Sequence, residues 1–187
     1  MGLSVKQRGL HVATFRFVEV RLMEIVAAWV PSTPEMEVKL LFGPHIWDVA
    51  QAADALGKRA HELRLPLQHS LAPTAAYLGL LDAVAGASGA PQRIAAFYDV
   101  MLPGLAVRYR RYLAETDTLM DAPTVRIIER ILENGVRMIR EASDLRTQLP
   151  TLQLADPDWL QRLAALESSV AELVSVQAVP DGTRRAA

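Results

Sequence analysis

The sequence predicts an all-α protein built from four long helices joined short–long–short, and three observations predict it. Apolar residues recur at steps of three and four along most of the chain, and no alternating strand pattern occurs. Proline and capping residues cut this pattern into segments of helix length. The connections between segments are short at both ends and long in the middle, which sets the topology.

The first helix is expected from about His11 to Trp29, carrying Phe15, Phe17, Val18, Leu22, Met23, Ile25 and Val26, with Pro31 ending it. Thr33 is expected to cap the second, with Pro34 in its first turn and Glu35 and Glu37 at the positive end of its dipole. That helix should reach about Leu63, with a kink or break at Gly43-Pro44, because proline removes a backbone donor and crowds the preceding turn. A long connection, Leu65 to Ala90, holds a short helix at about Pro73 to Ala85. The third long helix runs from Pro91 to about Glu115, with Pro103 inside it. Asp121 is read as the cap of the fourth, and Pro123 lies in its first turn. The stripe Val125, Ile128, Leu132, Val136 and Ile139 marks its apolar face, and Pro150 follows its end at about Gln148. A further helix starts at Asp156-Pro157-Asp158-Trp159 and runs to about Val174, and the tail after Pro180 should be disordered. Residues 1–150 thus form the bundle, and 151–187 the C-terminal helix and tail.

Composition excludes several chemistries. There are no cysteines, so disulfides, thiolate metal sites and cysteine nucleophiles are ruled out. Twenty basic residues against 21 acidic ones leave a net charge of −1, which argues against nucleic-acid binding. No uncharged run reads as a membrane span, and no signal peptide is evident, so a cytoplasmic protein is expected. Ala85-Gly86-Ala87-Ser88-Gly89 lacks the lysine and the preceding strand of a phosphate loop and reads as a turn. Arg108-Tyr109-Arg110-Arg111-Tyr112 reads as a solvated face with its tyrosines turned inward. Glu129 and Glu133, spaced three and four from Arg126, Arg130 and Arg137, read as surface ion pairs. Trp29, Trp47 and Trp159 read as core or interface anchors.

Arg21 to Pro31, the segment Glu37-Val38-Lys39-Leu40-Leu41-Phe42-Gly43-Pro44-His45-Ile46-Trp47-Asp48, and Asp121 to Arg126 resemble helices of bacterial ferritin-like proteins. The resemblance covers about Phe15 to Arg140 and implies a ferritin-like four-helix bundle with one long crossover. Members of that superfamily commonly hold two metal ions in the core. Their ligand set is a Glu from each of two helices and a Glu-x-x-His from each of the other two, a spacing that aims both side chains at one metal. This chain departs from it. Its histidines are His11, His45, His61 and His69, and three residues before them stand Arg8, Phe42, Lys58 and Pro66. Around the expected positions lie Asp48-Val49-Ala50-Gln51-Ala52, without histidine, and Glu133 to Arg137, where a guanidinium is hostile to a metal cation. No metal and no cofactor are therefore expected.

Counting residues from the first turn places Glu19 and His45 at similar depth, with Asp48 a turn further and Glu133 and Arg137 near that level. Glu19, Glu24, His45, Asp48 and Arg137 are the candidate pocket residues. Arg137, if buried, needs a carboxylate, and Glu19 and Asp48 are the nearest by level. Glu24 reads either as a leftover first-helix ligand or as a rim residue beside Arg21. The expected function is binding of a small apolar molecule, or of a protein partner such as a homologous helical subunit, with a homodimer allowed. The alternative is a small-molecule enzyme, either metal-independent and using the core acid–base groups or carrying a non-standard metal.

Overall fold

The computed structural model describes residues 2–174, and these contain helices and no strand. Helix α1 spans Val5–Trp29 and α2 spans Met36–Glu62, and they pack on each other through most of their length. Helix α3 (Ala75–Ala85) lies in the long connection. Helix α4 (Gly89–Ile94), a π-helical segment (Ala95–Met101) and α5 (Leu102–Glu115) follow one another without leaving helical backbone angles. Helix α6 spans Ala122–Gln148 and packs on α2 and α5. A 3₁₀ turn (Pro150–Gln153) leads to α7 (Pro157–Ser169), which packs on α3 and the π segment. The expected disordered tail lies outside the described residues.

Helix α1 is the centre of the core. Val12, Phe15, Val18, Leu22, Ile25, Val26 and Trp29 are all buried, on more sides of the helix than a single stripe would allow. Phe15 meets the edges of Tyr109 and Tyr112 at ring-centroid distances of 4.8 and 5.6 Å. Helix α6 is the opposite case. Thr124, Ile128, Met138 and Ala142 are buried, Ile127, Ile131, Leu132 and Ile139 are half-buried, and Val136 is exposed.

Several sequence expectations need correction. Helix α1 begins six residues early, because Ser4 and Gln7 form a capping box: the Gln7 amide donates to Ser4 Oγ and the Ser4 amide to Gln7 Oε1. Thr33 does not cap α2. Its Oγ1 donates to Trp29 O at 2.8 Å and accepts from the buried Arg93 guanidinium, which also reaches Trp29 O. A cation thereby meets the negative end of α1 and ties it to α4. Helix α2 runs through Gly43-Pro44 without a break. Both residues face solvent, where water can serve the Leu40 carbonyl that Pro44 leaves without a donor. At Pro103 the helix accommodates the proline differently, with the wider π turns just before it. Trp47 is exposed rather than an anchor in the core. Glu129 and Glu133 are exposed and form no ion pair among the described residues.

Asp121 occupies the N-cap position of α6, but its carboxylate makes no capping bond. It is fully buried and collects four donors instead. Oδ1 accepts from Arg59 Nη2 at 2.9 Å and Thr124 Oγ1 at 2.6 Å, and Oδ2 from Tyr112 Oη at 2.6 Å and Thr116 Oγ1 at 2.9 Å. Burial works to raise its pKa, but the combined hydrogen bonds outweigh it and leave the carboxyl below its ordinary value. Two glycines allow close approaches elsewhere. A Cβ at Gly57 would collide with Gln68 Oε1, and one at Gly104 with Glu167 Oε1, where α7 docks through the Arg108–Glu167 ion pair.

Asp121→Ala leaves the Arg59 guanidinium and three hydroxyls without their acceptor in the core. Urea unfolding is expected to show a loss of about 3–5 kcal/mol, against under about 0.5 kcal/mol for the exposed control Glu129→Ala. Because the folded-state pKa is depressed, this contribution is present at neutral pH and disappears as pH falls through the depressed value.

Candidate functional site

Between α5 and α6, floored by α1 and α2, lies a cavity of about 310 Å³. Its walls are mostly apolar: Val49 and Ala52 from α2, Leu102, Leu105 and Ala106 from α5, and Ile131, Leu132, Met138 and Ile139 from α6. The half-buried stripe of α6 is one wall of this space, which explains why α6 covers its apolar residues less completely than α1 does. Glu19, Asp48, Tyr109, Arg110 and Asn134 supply the polar lining.

Glu19 is 4% exposed, in the middle of the apolar face of α1. Its Oε1 accepts a short hydrogen bond from Tyr109 Oη, its only hydrogen bond among the described residues. Among the described residues no cation pairs with it. Desolvation therefore dominates and raises its pKa to about 7, with the Tyr109 bond pulling weakly the other way. Burial and the neighbouring Glu19 charge push the Tyr109 phenol well above its usual range, so Tyr109 keeps its proton and acts as the donor.

The other candidates form a separate polar chain. Arg137 Nη2 donates to Asp48 Oδ2 at 2.5 Å, and Arg137 Nη1 to Glu141 Oε1 at 3.1 Å. Glu141 Oε2 lies 2.7 Å from His45 Nε2, and His45 Nδ1 lies 2.7 Å from Tyr98 Oη. His45 is fully buried, and desolvation lowers its pKa despite the raising effect of Glu141, so the ring is neutral at pH 7. The partners then fix the tautomer. A carboxylate can only accept, so Nε2–H donates to Glu141, and Nδ1 accepts from the Tyr98 hydroxyl. The side chains of Arg137 and Asp48 are 34% and 23% exposed, which makes this end of the chain the wet one.

The structure thus brings Glu19 and Asp48 to one cavity and joins Asp48, Arg137 and His45 in one chain. Arg137 takes Asp48 and Glu141, not Glu19, as partners. Glu24 stands apart at the surface, 2.7 Å from Arg21. Tyr109, Tyr98 and Glu141 complete the two groups and were not among the sequence candidates. Glu141 has a visible signal, its i,i+4 spacing from Arg137. The tyrosines have none, because Tyr109 and Glu19 lie 90 positions apart. Among the described residues no group of three or more His, Cys, Asp or Glu side chains is placed to hold a metal ion, and no helix is long and apolar enough to cross a membrane. No family model matches the chain, and no match to it was found among curated proteins or solved structures.

Two measurements check this geometry. Below about pH 4.5 Glu19 is protonated in both the folded and unfolded chain, and between about 4.5 and about 7 only the unfolded chain loses the proton. Stability should therefore fall as pH rises through that window, by roughly 3 kcal/mol, and Glu19→Gln should remove this loss in urea unfolding at pH 5 and pH 8. For the half-exposed Arg137–Asp48 pair, a double-mutant cycle with Arg137→Ala and Asp48→Ala should give a coupling of about 0.5–1 kcal/mol that shrinks in high salt.

Proposed function

We propose that the protein is a ferritin-like helical bundle whose core has become a binding site for a small apolar molecule. The short connections 30–35 and 116–121, the long connection between α2 and α4, and the pairing of α1 with α2 and of α5 with α6 support the bundle reading. The observation that carries the ligand reading is the cavity itself. Its volume falls at the lower end of the range of small-molecule sites, and its walls are apolar with a few polar groups. In this reading Arg137, which the resemblance puts at a metal-ligand position, holds Asp48 and Glu141. Charge that a metal would otherwise neutralise is met there by a guanidinium.

A second reading draws on Glu19. A carboxyl poised near neutral pH beside a tyrosine, at the edge of a cavity, has the properties of a general acid–base group. It makes the same cavity the reaction site of a metal-independent enzyme and needs the same ligand to enter first.

Methyl-group NMR with toluene as the probe tests the shared step. Toluene should shift the methyl signals of Ile131, Leu132, Met138 and Ile139 saturably. Ala106→Phe, which fills the cavity from α5, should weaken binding at least tenfold while the far-UV spectrum stays helical. Shifts spread over the surface, or binding unaffected by Ala106→Phe, would remove the cavity from consideration.

A further inference from the structure

The cavity presents a buried carboxyl that has no ion-pair partner among the described residues. Glu19 faces it from α1, with one hydrogen bond, from Tyr109 on α5. Its other titratable and charged neighbours can be named element by element. Helix α2 contributes Asp48, whose carboxylate is already held by Arg137. Helix α3 contributes the Tyr77 phenol, which desolvation above all keeps protonated, with Arg108 pulling the other way and Glu19 adding to it. Helix α5 contributes Tyr109 and Arg110, and Arg110 is exposed at the rim. Helix α6 contributes seven lining residues, Ile131, Leu132, Asn134, Gly135, Val136, Met138 and Ile139, none of them charged. Among the described residues the one cation on the lining is Arg110, exposed at the rim, and none is paired with Glu19.

We infer that the ligand of this cavity is a compact apolar amine, its ammonium group paired with Glu19 and its hydrocarbon body against the α5 and α6 walls. This rests on the proposal that the cavity is a ligand site and names the class of ligand it takes. A buried carboxylate is costly without a positive partner, and no described residue pairs with Glu19, so a cationic ligand gains what a neutral one of the same shape does not. An anionic ligand would place like charges together in a space of low polarity. Tyr109 spends its proton on Glu19 Oε1, which keeps the carboxyl oriented as an acceptor toward the incoming ammonium. Binding holds Glu19 ionised, so at neutral pH complex formation releases part of a proton to solvent.

Calorimetry of the full chain with 2-phenylethylamine and with its neutral isostere 2-phenylethanol tests the inference. At pH 8 the amine should bind at least tenfold more tightly than the alcohol. At pH 7 the amine heat should vary with the ionisation enthalpy of the buffer, reporting proton release, and the alcohol heat should not. Glu19→Gln should bring the two affinities to within about twofold while alcohol binding persists, which also shows that the variant is folded. Equal binding of amine and alcohol by the wild type, or an amine preference that survives in Glu19→Gln, overturns the amine assignment and leaves the apolar-ligand reading standing. Failure of both probes to bind overturns the two together.

Discussion

One buried carboxylate holds the ends of three helices together. Asp121 has no contact with solvent, so every lone pair it carries must be answered from within, and it draws its donors from α2, α5, the turn and α6. The requirement is geometric before it is energetic. Arg59 and Tyr112 can both reach Asp121 only if the C-terminal part of α2 and the C-terminal part of α5 sit at one level, beside the start of α6. The six-residue turn 116–121 then has little freedom, and the register of α6 along its neighbours follows. Downstream, that register is what puts the apolar stripe of α6 opposite Leu102, Leu105 and Ala106 and brings Arg137 to Asp48.

The interior holds carboxyl groups in three different ways, and the differences divide the molecule. Asp121 is surrounded by donors and stays ionised. Asp48 and Glu141 lie near the surface and share a guanidinium, with His45 and Tyr98 passing the hydrogen bonding inward from Glu141. Among the described residues Glu19 has a single phenol and no charge to answer its own. The first two arrangements are complete within the chain. Only the third leaves something for a molecule from outside to supply, which is why the functional reading centres on Glu19 rather than on the larger polar chain beside it.

Much of the fold was legible from the residues, and the exceptions have physical causes. The steps of three and four in α6 and the Asp156-Pro157 start of α7 are local signals and lie where the pattern puts them. Ser4 and Gln7 are a local signal too, but they precede the first strongly apolar turn, so apolar spacing alone starts the helix too late. Gly43-Pro44 does not break α2, because the cost of an internal proline depends on whether the orphaned carbonyl meets water, and exposure is a tertiary property. For the cavity, depth counting from the α1–α2 turn is enough to select Glu19 and Asp48, since both helices are anchored at that turn. It cannot select Tyr109, whose position depends on how α5 is rotated about its own axis. It selects Arg137 by level but leaves open the choice between Glu19 and Asp48 as its partner, which is again a matter of rotation.

That rotation is set in part by the π segment Ala95–Met101. A π turn uses more residues than an α turn, so helical residues on its two sides are out of phase with what a continuous α-helix would give. Tyr98 belongs to the segment and meets His45, while Tyr109 and Tyr112 lie beyond it and meet Glu19 and Asp121. Loss of one residue from these seven would turn the whole of α5 by roughly 100° relative to α4. Tyr109 and Tyr112 would swing away from their carboxylates together. The segment works as a phase setter: its length in residues, more than the identity of any one of them, keeps the cavity and the Asp121 cluster each supplied with its phenol.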